Sequence, residues 1–161
     1  MIGNDIVDLA LARKESNWQR KGFLDKIFTK KEQLLISNSK NPEIMVWNLW
    51  TRKEAAYKIY NRQTGIRGYF PIQLDCFYES ENLGIVSCNG NTYYTQTKIS
   101  VDCIYTIAVT EKDYLNQIIN LDSETKIIKR NGIPFIRDEL TKLSRPVSIS
   151  HHGRFWMGIT I

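Results

Sequence analysis

Two short segments carry the residues whose types could do chemistry together. Asp5 sits in the apolar run Ile2-Gly3-Asn4-Asp5-Ile6-Val7-Asp8-Leu9. Glu54 and Lys58 stand four residues apart in Trp50-Thr51-Arg52-Lys53-Glu54-Ala55-Ala56-Tyr57-Lys58. Magnesium takes hard oxygen ligands in an octahedron, keeps several waters, and is usually held by one or two carboxylates together with the phosphates of a substrate. Asp5 and Glu54 could supply that pair from two distant segments. Asp8 is open to two readings, a further metal ligand or the cap of a helix that follows. Glu54 and Lys58 also have a plainer reading as an exposed pair lending a helix about 0.3–0.5 kcal/mol. Against it, Trp47, Trp50, Glu54 and Lys58 fall on one helical stripe, and two tryptophans argue that this stripe faces protein. Charges continuing such a stripe need partners.

The elements that must position these residues follow from local signals. Ile2, Ile6 and Val7 predict a short buried strand, followed by a polar, basic helix or turn through Arg13, Lys14, Arg20 and Lys21. Thr29-Lys30-Lys31-Glu32 is a capping box, predicting a short helix over 30–37. Asn41-Pro42 supplies an N-cap and a first-turn proline for a long helix to about residue 61, stopping near Gly65. Residues 73–78, 83–88, 92–99 and 102–109 are rich in Val, Ile, Thr, Tyr and Cys and read as strands, with a hairpin turn at Asn89-Gly90-Asn91. Lys112 to Asn120 reads as one or two helical turns. Residues 121–146 are polar, with turns at Asn131-Gly132 and Ser144-Arg145-Pro146, and Val147 to Ile161 alternates like one or two closing strands. The expectation is one α+β domain over 1–161, an antiparallel sheet packed against one long and one or more short helices.

Composition narrows the partners. At 161 residues, 42% apolar and 24% charged, the chain is an ordinary globular size and mix, which excludes a disordered tail. A net charge of +5 and a pI near 9.1 favour acidic partners without choosing among them. Cys76, Cys88 and Cys103 lack C-x-x-C spacing, so a disulfide framework or zinc site is not expected and a reducing compartment is. No apolar run is long enough to span a bilayer and the acidic N-terminus does not read as a secretory signal, so the expected location is the cytoplasm, with no membrane partner.

Four motifs in order resemble the 4'-phosphopantetheinyl transferases, most nearly the holo-acyl-carrier-protein synthase type. Gly3-Asn4-Asp5-Ile6-Val7-Asp8-Leu9 is similar to that type's G-x-D-I-V-E-I opening, and Phe23-Leu24-Asp25-Lys26-Ile27-Phe28-Thr29-Lys30-Lys31-Glu32 to its R-F-x-x-R-V-F-T-x-x-E segment. Trp50 to Lys58 matches the W/F-x-x-K-E-A-x-x-K motif of the superfamily. Gly132-Ile133-Pro134 followed by Pro146-Val147-Ser148-Ile149-Ser150-His151 resembles its G-x-P … S-x-S-H element.

The resemblance implies magnesium-dependent transfer of the 4'-phosphopantetheine arm of coenzyme A to a serine of an apo acyl or peptidyl carrier protein, releasing 3',5'-ADP. It implies Asp5 and Glu54 as metal ligands, Glu54 assisting serine deprotonation, and Lys58 offsetting phosphate charge. Lys53 would contact the nucleotide or merely be solvated. Adjacent strand residues face opposite ways, so at most one of His151 and His152 enters the site, and the resemblance selects His151 for a coenzyme A phosphate. Ser148 and Ser150 would donate to phosphate or only satisfy the strand's surroundings, and Arg154 would hold the adenine nucleotide or lie in solvent. Members with one such domain place the site between subunits, implying a homotrimer or homodimer.

Three features depart from the pattern. Asn4 replaces the Thr or apolar residue often found before the aspartate, and the early arginine of the synthase type falls at Leu11, two residues from Arg13. The β-rich region over 70–130 is longer than in the smallest members. It resembles the carboxy-terminal half of the double-length, surfactin-synthetase-activating type, whereas His151-His152-Gly153-Arg154-Phe155 resembles a stretch of that type's amino-terminal half. Two other functions remain: a non-catalytic binding relative of the same fold, and a basic nucleic-acid groove of Trp, Tyr, Lys and Arg. The groove is the weaker, because tryptophans at helical spacing read better as core, and no nucleic-acid partner is expected.

Overall fold

The computed structural model describes residues 1–138 and 141–161. Four helices follow the first strand, β1 (Ile2–Asp8): α1 (Leu9–Glu15), α2 (Phe23–Ile27), α3 (Lys30–Asn38) and α4 (Pro42–Thr64). Their ends obey the capping chemistry in the sequence. The Asp8 carboxylate accepts from the amides of Ala10 and Leu11 at 3.0 and 3.3 Å, which makes it the cap of α1. At α3 both halves of the capping box form: Thr29 Oγ1 accepts from the Glu32 amide, and Glu32 Oε2 accepts from the Thr29 amide at 2.7 Å. Asn41 caps α4, which ends at Gly65 with φ +73°.

The first antiparallel sheet has the order β1-β5-β4-β3-β2, built with β2 (Asp75–Tyr78), β3 (Leu83–Cys88), β4 (Asn91–Ile99) and β5 (Cys103–Val109). Strands β3 and β5 alternate buried and half-buried residues, as expected of a sheet with one face covered. The cover is α4, whose Val46, Leu49, Ala55, Ala56 and Ile59 join Val7, Val86, Tyr93, Ile104 and Ala108 in the main core. Contact between α4 and β1 is so close that a β-carbon on Gly3 would collide with the carbonyl oxygen of Ala55. That closeness brings Asp5 beneath Glu54 and Lys58.

After a 3-10 segment at Lys112–Gln117 the chain forms a second antiparallel sheet of five strands: β6 (Ile119–Leu121), β7 (Ile128–Arg130), β8 (Ile133–Arg137), β9 (Ser144–His152) and β10 (Phe155–Thr160), in the order β6-β10-β9-β8-β7. The α+β class stands, with the antiparallel pairing divided between two sheets. Within the polar residues 121–146 a β7–β8 hairpin turns at Asn131-Gly132 as expected, whereas Ser144-Arg145-Pro146, expected as a turn, opens β9, three residues before the expected start at Val147. The strand expected over 73–78 starts later, at Asp75, because a 3-10 turn over Pro71–Gln73 takes its first position.

The two sheets meet along β1 and β9 through side chains. The amides of Asn4, Ile6 and Asp8 donate to Ser148 Oγ (3.0 Å), Ser150 Oγ (3.1 Å) and His152 Nδ1 (2.8 Å), so the strands run parallel in register. From α4, Lys58 Nζ donates to the carbonyls of Asn4 (2.6 Å) and Ile149 (3.1 Å), and Arg62 to those of Ile2 and Val147. Backbone groups left open at an edge strand are thereby satisfied, as buried polar groups must be.

Candidate active site

Asp5 lies near the middle of this seam, 9% exposed. Its Oδ1 accepts from Ser150 Oγ at 2.8 Å and stands 3.5 Å from Lys58 Nζ. Glu54, one helical turn before Lys58, faces the same space. Burial raises the Asp5 pKa above the usual carboxylate range, opposed by Lys58 and Ser150. Burial also pushes Glu54 up to about 7, with the Asp5 charge adding to the rise and Lys58 opposing it. Two carboxyl groups thus share a sheltered site with incomplete charge compensation, an arrangement that a cation relieves. Among the described residues no group of three or more His, Cys, Asp and Glu could hold a metal alone. A pair of carboxylates fits magnesium in its commonest setting, where waters and substrate phosphates complete the shell.

Two cavities meet here. One, of about 210 Å³, is lined by Asp5, Glu54, Trp47, Trp50, Ala12 and His152 among others. The other, of about 360 Å³, opens between α4 and the β7–β8 hairpin and carries Lys58, Arg62 and Lys129 beside Gly132 and Pro134. His151 lines both. The first is acidic with aromatic walls, the second basic. Polyphosphate held across their junction would have cations on one side and a metal-binding carboxylate pair on the other.

Asp5, Glu54, Lys58 and His151 are therefore brought together; Lys53 and Arg154 are not where the sequence put them, and Ser150 takes the second of its two readings, satisfying its strand's surroundings. Lys53 is a correction. Its ammonium is fully buried, 2.8 Å from Glu32 Oε2, and donates to the carbonyls of Pro71 and Leu74 at 2.8 and 2.7 Å, which uses all its donors inside the core. It neither reaches a cofactor nor lies in solvent. Arg154 is a second correction: its guanidinium forks onto the Asp8 carboxylate at 2.9 and 3.1 Å and touches Asp102, outside both cavities. That fork holds the Asp8 pKa well below the usual carboxylate range and, with the helix cap, leaves Asp8 structural. Ser150 is buried and turned to Asp5 rather than to a phosphate. His152 spends Nδ1 on the Asp8 amide, and Ser148 exchanges hydrogen bonds with Asn4.

Arg62, Lys129 and Tyr69 escaped the sequence reading. Arg62 stands four residues after Lys58, the one periodic signal that could have found it. Tyr69 comes from the loop after α4, packs edge-on against Trp50 and Tyr57 at 5.9 and 5.0 Å, and turns its buried hydroxyl toward Glu54. No well-formed hydrogen bond satisfies that hydroxyl. Lys129 lies on a short exposed strand with no pattern to mark it.

The sequence model of the 4'-phosphopantetheinyl transferase superfamily matches residues 1–115. Solved structures share the fold. Holo-[acyl-carrier-protein] synthase of Helicobacter pylori, in complex with coenzyme A, superposes with a TM-score of 0.54 at 18% identity, covering 69% of this chain and 100% of that one. The synthase of Neisseria meningitidis gives 0.53 at 21% identity, covering 69% and 97%. That of Thermotoga maritima gives 0.52 at 13% identity, covering 81% and 77%. No curated protein matches the sequence.

Proposed function

Because this chain belongs to the 4'-phosphopantetheinyl transferase superfamily, we propose that it transfers the phosphopantetheine arm of coenzyme A to a serine of an apo acyl or peptidyl carrier protein, with magnesium bound by Asp5 and Glu54. The observation that carries this reading is the convergence of Asp5, Glu54 and Lys58 where a basic cavity meets an acidic one. The basic cavity, within the roughly 300–1,000 Å³ range of small-molecule sites, takes the 3',5'-ADP half against Lys58, Arg62 and Lys129. His151, shared by both cavities, meets the diphosphate. The pantetheine arm then leads past Trp47 and Trp50.

Bound magnesium would neutralise charge on the diphosphate oxygens. The chain's own residues do the rest. Ser150 holds the Asp5 carboxylate by its hydrogen bond. Glu54, which faces the same cavity as Asp5, takes the proton from the acceptor serine. The serine oxygen bonds to the pantetheine-bearing phosphorus, the bridging P–O bond breaks, and its electron pair leaves on the 5'-phosphate of 3',5'-ADP. Lys58 faces that phosphate and balances its growing charge.

The functional unit in this reading is one domain over 1–161. The three free thiols suit a reducing cytoplasm, and no helix of the described residues is long and apolar enough to cross a membrane. Intact-protein mass spectrometry tests the reaction: an apo carrier incubated with this protein, coenzyme A and magnesium gains the mass of one phosphopantetheine, and loses that gain under chelation. If fatty-acid, polyketide and peptidyl carriers all stay unmodified while coenzyme A binds, the chain is a binding relative and not a transferase.

A further inference from the structure

We propose that the second sheet, through β9, occupies the place on β1 that a second chain would otherwise fill, so that one chain carries a complete site. The proposal takes the site's activity from the reading above, but its geometry stands apart from it. Strand β1 is an edge of the first sheet, and an edge strand offers open amides and carbonyls to another chain. Here that edge is closed by the chain's own β9. Each outward amide, at 4, 6 and 8, has a side-chain acceptor at 148, 150 and 152, and Lys58 and Arg62 tie the carbonyls of both strands to α4.

Asn4 shows that the closure is written into this sequence. It is fully buried, and it stands where family members often have a Thr or an apolar residue. Its Oδ1 accepts from Ser148 Oγ at 2.7 Å, and its Nδ2 donates to the Met157 carbonyl at 3.0 Å and to the Tyr105 hydroxyl of β5 at 3.3 Å, so the side chain ties β9 and β10 to the first sheet. An apolar side chain there could make none of these bonds and would leave the partners wanting. Cluster Ile2, Val109 and Ile159, with Ile118 and Ile161 packed around it, seals the end of the same seam. The superfamily match ends at residue 115, before this second sheet begins, yet His151 lines both cavities and Ser150 holds Asp5. The expected trimer or dimer rested on a site shared between subunits. This chain supplies both walls.

Cysteine cross-linking tests the proposal without reference to activity. In a Cys103→Ser background, the double variant Asn4→Cys, Ser148→Cys is oxidised and run without reductant, beside an equimolar mixture of the two single variants. The expected result is an internal disulfide in the double variant at the mass of one chain, 18.8 kDa, and no linked pair of chains in the mixture. A linked pair in either sample, or no disulfide at all in the double variant, overturns it. The catalytic counterpart mixes Asp5→Ala with His151→Ala: recovered transfer would mean that the site is shared, and no recovery is expected. If the wild-type protein transfers nothing, the transferase reading fails while the cross-linking still decides this one.

Discussion

The raised pKa of Glu54 makes folding stability depend on pH in a definite direction. Its carboxyl goes from an ordinary 4.5 to about 7, so between those values the folded chain holds a proton that the unfolded chain has released. Stability therefore falls as pH rises through this window and stays lowered above it. At about 1.36 kcal/mol per pH unit the whole displacement corresponds to about 3 kcal/mol, and roughly half that once a partly exposed carboxyl is allowed its screening by solvent. Asp5, pushed up by its own burial, acts in the same direction.

The perturbation is Glu54→Gln, and the assay is urea unfolding in chelator at pH 5 and pH 8. Above the window the variant should exceed the wild type in stability by about 1.5–3 kcal/mol, and at pH 5 the gap should nearly close. Magnesium should narrow the gap at pH 8, because a cation bound only by the folded wild type stabilises it by mass action. A gap equal at both pH values would refute the account of Glu54 as a sheltered, charge-crowded carboxyl. A gap that magnesium leaves unchanged would remove Glu54 from the metal site.

Three further substitutions separate site from scaffold. Lys53→Met leaves Glu32 charged and unpaired in the core and should cost about 3–5 kcal/mol in urea unfolding; Kd for coenzyme A by calorimetry should stay within about twofold under conditions where the variant is folded, and a tenfold weakening there would return Lys53 to the site. Gly3→Ala forces a β-carbon onto the Ala55 carbonyl and should lose at least about 1–3 kcal/mol of stability, which a wild-type unfolding curve would contradict. Arg62→Met removes a charged lining residue from the basic cavity. KM for coenzyme A should rise about tenfold, equivalent to about 1.4 kcal/mol, with kcat little changed. An unchanged KM would move the nucleotide elsewhere.

What the sequence made legible was whatever had a local cause. The caps of α1, α3 and α4 depend on residues within three positions of each helix start, and each formed as the chemistry requires. Strands β3, β4 and β5 announced themselves by their content of β-branched and aromatic residues and by the Asn89-Gly90 turn between β3 and β4, while the alternation lies in their exposure rather than in residue type. Strand β7 is exposed at every position, so no alternation marks it. Lys53 and Glu32 are adjacent only in space. From the sequence Lys53 reads as one more charge beside Glu54, and only the docking of α3 and the 71–74 turn against α4 shows that it is internal.

The same distinction explains why the motif residues came together while their surroundings came as a surprise. Helical spacing put Glu54 beside Lys58, the resemblance joined Asp5 to them, and in the fold Gly3 and the core beneath α4 bring their two elements into contact. The serines and histidines of β9 reach that site by a seam without a backbone ladder, made of side chains answering open backbone groups. Such a seam leaves no periodic trace, because its register lives in single residues: Asn4 and Ser148, Ile6 and Ser150, Asp8 and His152. Its energetics are correspondingly asymmetric. Satisfying a buried amide adds only about 1 kcal/mol net, whereas stranding one costs about 1–3 kcal/mol. Replacing one acceptor, as in Ser148→Ala, therefore withdraws more than one bond's worth: it strands the Asn4 amide and the Asn4 Oδ1 together, next to the carboxylate that the seam exists to hold.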